Sequence, residues 1–281
     1  MPEQRADQVL VRIDAAGINP VDWKIREGMR AKSRTFPFTL GQDFAGEVIA
    51  VGEAVTDVEA GEDVYGFAAG AYAEYAAVSP DTIAAKPSTI DEFTAATLPT
   101  PGLTALQAIR ALDPKRGDTI VIHGAAGGVG SIATQLCLAR GARVVAVAGA
   151  KDAAYLSELG VPLIIDYQTE RFEDRVRDVE AVLDLVGGET LARSFNIVRR
   201  GGAIATTLGP IDEAGASATG VRGIQIVMQR NPADLRELAR LVDEGTVKPR
   251  AARVLPLDDA PRGQELSQFG HVSEKIVLAV H

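Results

Sequence analysis

Several residue types are scarce in this chain, and each shortage removes a class of function. Only one cysteine, Cys137, occurs in 281 residues. A single thiol excludes an intrachain disulfide and any multi-cysteine zinc site. The three histidines, His123, His271 and His281, are too scattered to replace one. Aromatic side chains make up 5% of the chain, and positive charge is short, with 29 Lys and Arg against 38 Asp and Glu. The resulting net charge of −9 argues against nucleic acid or an anionic membrane as the main partner. No apolar run approaches the roughly 20 residues of a membrane span, and Met1–Arg5 lacks the apolar region of a signal peptide. The expectation is a soluble, cytoplasmic protein acting on a small molecule.

Glycine, by contrast, is abundant, and its placement is informative. Residues 119–131 read Thr-Ile-Val-Ile-His-Gly-Ala-Ala-Gly-Gly-Val-Gly-Ser, followed by an apolar-periodic run to Arg140 and by Gly141-Ala-Arg-Val-Val-Ala-Val147. The order is strand, glycine-rich turn, helix, strand, which is the context that a dinucleotide-binding fingerprint requires. Ala125, Gly127 and Gly130 take its three marked positions, with a methyl group in place of the first glycine. Gly128 and Val129 complete the turn. Such a turn lets the backbone approach a pyrophosphate closely and offers it the N–H groups and positive end of a helix.

The second strand predicts which dinucleotide. An Asp or Glu at its tip would take the ribose hydroxyls of NAD. Here the strand ends Val147-Ala-Gly-Ala150 and is followed by Lys151. A 2′-phosphate is attracted by such a cation, so NADP(H) is expected over NAD. Asp152 falls in the first turn of the next helix, where an acid is ordinary capping chemistry. Cys137, inside the apolar run, reads as a buried structural thiol, and His123, at a strand end, as a satisfied imidazole rather than a ligand.

The organisation of the chain changes near residue 100. Before it come short β-rich segments at 9–15, 44–51, 63–67 and 71–78, punctuated by Gly and Pro. A helix is expected over 103–112. Strands then follow at 119–123, 143–148, 162–166, 180–185, 202–207 and 222–228, with helices at 129–140, 151–159, 188–198 and 232–244. Six parallel strands with intervening helices make an α/β, doubly wound Rossmann sheet with its ligand crevice at the strands' carboxyl ends. Asp184–Gly188 and Thr207-Leu208-Gly209 should face that crevice. The tail, with strands over 254–257 and 274–280, is expected to rejoin the first region. The domain reading is 1–100, 101–250 and 251–281.

Ala15-Ala-Gly-Ile-Asn-Pro-Val-Asp22, Gly41-Gln-Asp-Phe-Ala-Gly-Glu-Val48, Leu98-Pro-Thr-Pro-Gly-Leu-Thr-Ala105, the 125–130 turn, Gly270-His-Val272 and Lys275-Ile-Val277 occur in the order found in one family. The chain resembles the medium-chain dehydrogenase/reductases, in their zinc-free quinone oxidoreductase (zeta-crystallin-like) branch. The resemblance implies a GroES-like β-rich domain, completed by the C-terminal tail, with a Rossmann domain and the nicotinamide in the cleft between them. It also implies a homodimer. Zinc-dependent relatives carry a Cys ligand in the loop that is Ile18-Asn19-Pro20 here, and a His-Glu pair where this chain has Gln42-Asp43. Neither Asn19 nor Gln42 is a competent zinc ligand, so no metal is expected. Without a Lewis acid to lower an alcohol's pKa, the plausible direction is reduction of an electron-poor acceptor.

Quinones and α,β-unsaturated carbonyls fit such a reaction, which asks chiefly for positioning and for donors to a developing oxyanion. By resemblance Asn19 is the leading polar contact in the cleft and Asp22 the next. Asn19 is equally ordinary turn chemistry before Pro20, and Asp22 could cap a short helix. Tyr65 and Tyr72 could offer hydroxyls or serve as packing in strands. Thr104 matches the family's threonine near the nicotinamide, and Tyr167 the tyrosine that accompanies the lysine at the 2′-phosphate. Leu208 is expected on the cofactor as well. Family members usually begin with two further short strands, whereas eight residues precede Val9 here: either the start codon is assigned late, or the β domain is shortened, and the loss of two strands would leave an unpaired edge. An aldehyde or enoyl-thioester reductase on the same scaffold is an alternative, as is a low-turnover NADPH-binding sensor or structural protein.

Overall fold

A computed structural model describes residues 1–29, 36–270 and 272–281. His271, and with it the centre of the 270–272 match, lies outside the described residues. The chain divides into two compact units. One comprises Met1–Leu103, Gln229–Gly245 and Pro249–His281, the other Thr104–Met228 and Thr246–Lys248. Among the described residues no helix is long and apolar enough to cross a membrane.

The first unit is built on seven strands, numbered along the chain: β1 (Val9–Gly17), β2 (Asp43–Val51), β3 (Asp63–Phe67), β4 (Tyr75–Val78), β5 (Ile83–Ala85), β12 (Ala252–Pro256) and β13 (Lys275–Ala279). Their order is β12-β13-β1-β2-β3-β5, with β4 beside β1. β1 pairs with β2 along its whole length, while its other edge is shared: Val9–Arg12 pair with β4 and Ala15–Gly17 with β13. The tail thus returns to the sheet that the N-terminal residues begin. Val11, Ile13, Phe44, Val48, Val64 and Leu278 fill the core.

Three features of this unit differ from the sequence reading. The strand expected from residue 71 starts only at Tyr75, because the N–H groups of Ala71 and Tyr72 turn back to the carbonyls of Gly41 and Leu40, at 3.1 and 3.0 Å. Helix α9 (Ala260–Phe269), between the two tail strands, has no counterpart in that reading. Only Gly263 and Gln264 are buried along it, so it lacks the apolar stripe that marks a helix in sequence. Helix α8 (Pro232–Asp243), expected over 232–244 and grouped with the central region, belongs to the first unit. The Asn231 side chain caps it, and Leu235, Leu238 and Val242 form its buried face. The Tyr65 hydroxyl donates to the Leu235 carbonyl at 2.6 Å, and Thr89 donates twice to Asp243. These contacts are made across more than 150 residues of sequence, where periodicity carries no information about partners.

The second unit holds β6 (Thr119–His123), β7 (Arg143–Ala148), β8 (Leu163–Asp166), β9 (Val179–Asp184), β10 (Val198–Thr206) and β11 (Arg222–Gln225). All pair in parallel, in the order β11-β10-β9-β6-β7-β8. This is the doubly wound Rossmann arrangement, whose order reverses between β6 and β9. The near-continuous apolar runs of β6, β7 and β9 suit strands covered on both faces, and Val121, Val145, Ile165, Val182 and Ile204 pack together. The helix expected over 188–198 ends at Ser194 as α6 (Gly188–Ser194), since the Ile197 carbonyl already accepts from Val179 N–H at the entrance to β10.

Tyr65→Phe removes the hydroxyl tie from β3 to α8 while keeping the ring. A loss of about 1 kcal/mol is expected, seen as a lower denaturant midpoint with unchanged m value; an unchanged midpoint would mean that the hydroxyl does not hold α8.

Candidate active site

In the second unit the site is made of backbone. β6 runs into a turn at Gly124 (φ 70°), and the N–H groups of Gly124 and Ala125 donate to the Val147 carbonyl at 3.0 and 3.2 Å, tying the turn to the end of β7. Gly127 then opens α4 (Gly128–Ala139). A Cβ on Gly130 would lie 2.1 Å from the Gly124 oxygen and 2.8 Å from the Ala125 Cα. No side chain fits there, so the helix sits directly on the turn. The first-turn N–H groups, at Gly128, Val129 and Gly130, have no intrahelical acceptor and stand at the positive end of a twelve-residue helix. The arrangement fits the phosphates of a dinucleotide. Ala125 is buried, its methyl accommodated where the pattern ordinarily has glycine.

Beside the turn, at the carboxyl ends of β6 to β9, lies a pocket of about 460 Å³ whose lining includes Gly124, Gly127, Gly149, Asp152, Tyr167 and Val186. The Tyr167 ring stands beside Gly149, at ordinary contact distance (3.6 Å) from where a Cβ would lie. Lys151 is exposed in the short turn Ala150–Asp152, next to Asp152 of the lining and two residues after Gly149. Asp152 departs from expectation: it stands at the N-cap of α5 (Ala153–Glu158) but makes no side-chain cap hydrogen bond there, and it is buried in the pocket wall instead. Nothing in its spacing separates the two uses.

Thr104, in α3 (Pro99–Leu112), is buried, and it and Leu208, after β10, lie outside this lining. Leu208 packs over Gly187. The loops at the ends of β9 and β10 are organised by Asp184, whose carboxylate accepts from Gly187 N–H at 3.0 Å and from the Thr206 hydroxyl at 2.8 Å. A carboxylate at a strand end followed by paired glycines was the available signal for this role. His123 is fully buried. Its Nε2 is 2.9 Å from the Ser194 hydroxyl and its ring meets Phe172 edge-on, but Nδ1 has no partner, so the expected satisfaction is half achieved. Burial pushes its pKa down to about 4, which keeps the ring neutral. Burial pushes the Cys137 thiol up to about 12, in line with an inert structural role.

The first unit places the two candidate catalytic residues in a buried polar knot. Asn19 precedes α1 (Pro20–Arg26), and its N–H donates to Asp22 Oδ2 at 2.8 Å, so Asp22 does act at the helix start. The Asn19 amide is engaged on both atoms: Nδ2 donates to Asp43 Oδ2 at 2.8 Å, and Oδ1 accepts from Lys275 Nζ at 2.9 Å. Asp43 also accepts from the N–H and hydroxyl of Thr100, at 2.8 and 2.6 Å. The Tyr72 hydroxyl donates to Asp22 Oδ2 at 3.1 Å, leaving Asp22 Oδ1 buried without a partner. Burial pushes the Asp22 carboxyl up to about 6 and raises that of Asp43; it lowers the Lys275 ammonium. Tyr65 is fully buried and its hydroxyl is committed to α8.

These residues do not suit a metal. Gln42 Oε1 is bonded by Arg230, and the Asn19 oxygen by Lys275, so a cationic side chain meets both positions where the zinc-dependent pattern has ligands. Among the described residues no group of three or more His, Cys, Asp or Glu is placed to hold an ion.

Residues 5–88 match the alcohol dehydrogenase GroES-like domain, and residues 159–278 match the family described as zinc-binding dehydrogenase. The chain is 27% identical to the quinone oxidoreductase of Mus musculus over 94% of its own length and 86% of that protein's. It is 32% identical to the chloroplastic NADPH-dependent alkenal/one oxidoreductase of Arabidopsis thaliana over 89% of its own length, and this match spans 65% of the plant protein. Among solved structures, the quinone oxidoreductase from Coxiella burnetii superposes with a TM-score of 0.92 at 36% identity, covering 100% of this chain and 93% of that one. Likeness of this strength along the entire length assigns the protein: it belongs to the medium-chain dehydrogenase/reductase superfamily, in the zeta-crystallin-like quinone oxidoreductase branch.

Proposed function

We propose that the chain is an oxidoreductase that reduces a quinone or an α,β-unsaturated carbonyl with NADPH and without a metal ion. The observation that carries this reading is the condition of the two metal-ligand positions, where Lys275 and Arg230 bind the side-chain oxygens of Asn19 and Gln42. No Lewis acid is available there to activate an alcohol, which leaves acceptors whose own conjugation delocalises the incoming charge. The names of its relatives support the acceptor class: quinone oxidoreductase in mouse, alkenal/one oxidoreductase in Arabidopsis thaliana and 2-methylene-furan-3-one reductase in Solanum lycopersicum.

When bound, NADPH supplies the hydride. The backbone N–H groups at Gly128, Val129 and Gly130 hold the pyrophosphate, with Ala125 and Gly127 shaping the turn. Lys151 and Tyr167 take the 2′-phosphate, while Thr104 and Leu208 serve the nicotinamide half. The loop Asn19–Asp22 serves the acceptor side, its backbone held in place by the buried knot. β11 ends its sheet with one edge unpaired among the described residues, which supports a homodimer formed by strand pairing; a cytoplasmic location goes with this reading.

Asp152 favours a second reading for the cofactor alone. A carboxylate in the pocket wall would accept a ribose hydroxyl and repel a 2′-phosphate, which would make NADH the partner. Lys151→Glu separates the two. NADPH affinity, read by fluorescence titration, is expected to fall roughly 10- to 100-fold while NADH changes by less than about threefold. Equal losses for both would remove the 2′-phosphate role, and a loss of NADH affinity confined to Asp152→Asn would establish the second reading.

Turnover gives the broader check. Oxidation of NADPH by a simple benzoquinone or an enone is expected to survive exhaustive dialysis against a chelator unchanged. Activity that disappears with the chelator and returns with zinc would overturn the metal-free reading, and tight NADPH binding without turnover would point to a binding role.

A further inference from the structure

We propose that Lys275 is the positioning residue of the Asn19–Asp22 loop: its ammonium is a tethered cation that orients the Asn19 amide and offsets the buried carboxylates of Asp43 and Asp22. That this loop serves acceptor reduction rests on the function proposed above; the electrostatic role of Lys275 does not.

The geometry is specific. Lys275 opens β13, opposite Ala252 of β12, and its Nζ reaches Asn19 Oδ1 at 2.9 Å and the Ile18 carbonyl at 3.3 Å. An ammonium has only donors and a carboxylate only acceptors. With Lys275 on one side and Asp43 on the other, the Asn19 amide has one allowed orientation, oxygen toward Lys275 and nitrogen toward Asp43. Rotating it by half a turn would set donor against donor and acceptor against acceptor. Because Asn19 is also the residue that starts α1, fixing its side chain fixes where the helix begins.

The charges facing Lys275 come from few elements. α1 supplies Asp22 and β2 supplies Asp43, and these two carboxylates are the charges that act on the ammonium. Tyr72 reaches the same knot through Asp22. β12 presents Ala252, and the neighbouring stretch of β1, Ala15–Gly17, is apolar. α9 brings uncharged Gln264, which accepts from Arg26 at 3.0 Å; the other arm of Arg26 goes to Gln268. The acids of α2 (Glu92–Ala95) stand at its first turn, where Asp91 caps the Thr94 N–H. Among the described residues Lys275 is therefore the cation that serves both buried carboxylates, and removing it leaves an uncompensated charge out of water.

Lys275→Met, which keeps the stem and removes the charge, tests this in the full-length protein. Burial already raises the Asp22 carboxyl to about 6, and raises that of Asp43, while Lys275 holds both down. Without the ammonium both rise further, so the folded variant binds protons there more tightly than wild type or the unfolded chain. Acid therefore favours the folded variant, and the benefit is lost as pH rises through and beyond about 6. The melting temperature is expected to fall below wild type by on the order of 8 °C at pH 8, and by less than half of that at pH 5. Adding Asp22→Asn to Lys275→Met is expected to raise the melting temperature at pH 8 above that of the single variant and to flatten its pH dependence. The amide introduced in place of the Asp22 carboxylate can still accept from Asn19 and Tyr72. An equal deficit at both pH values, or no recovery in the double variant, would show that the lysine stem only fills space and would overturn the proposal. If the single variant folds at neither pH, the double variant decides in the same way. NADPH titration of each variant, expected within twofold of wild type, reports on the glycine turn separately. A wild-type protein that neither binds NADPH nor turns over would sink the proposed function while leaving the Lys275 comparison intact.

Discussion

A carboxylate taken out of water is costly unless donors and a counter-charge replace its hydration, and the first unit is arranged around meeting that requirement at Asp43. The donors arrive from Asn19 and Thr100, and the counter-charge stands one amide away on Lys275. Stretches of chain separated by up to 256 residues are thereby drawn to one point. The apolar core supplies most of the drive to fold, but it would accept small slips of one strand past another. A carboxylate with a defined set of donors does not, and it specifies how β1, β2 and β13 must be placed.

The two units use opposite chemical means. In the second, binding capacity comes from atoms that are missing: Gly130, with no side chain, lets α4 touch the turn. Backbone N–H groups then face the crevice without competition from side chains. In the first, the important atoms are polar side-chain groups that, apart from Asp22 Oδ1, are bonded to one another, so what they present outward is a fixed backbone shape. Asn19 illustrates the change of role, since a residue with two polar atoms to offer has given both to its neighbours.

This contrast accounts for what could be read from sequence. The glycine turn is legible because its constraint is local: a strand, three marked positions and a helix within about 30 residues. The parallel strands are legible because burial on both faces leaves continuous apolar runs. Lys275 is legible only as part of the match Lys275-Ile-Val277, because its partner is Asn19 and no period connects them. α9 escapes notice because it has little apolar surface to advertise. Asp152 is misjudged in its use rather than its place, since a carboxylate at a helix start has the same spacing whether it caps the helix or turns into a pocket. Tyr72, with both a packing role and a hydroxyl donor's role open to it in sequence, donates to Asp22.

The pairing of β1 also dictates an order of events during synthesis. Its Ala15–Gly17 edge waits for β13, which leaves the ribosome roughly 260 residues later, whereas residues 104–228 hold all six strands of the parallel sheet in one contiguous stretch. Domains tend to fold as their residues emerge, and closing long loops is slow. The nucleotide-binding sheet can therefore assemble while the nascent chain is still growing. The β-rich unit, by contrast, spends most of translation with one strand edge uncovered, the interval in which a chaperone has most to protect.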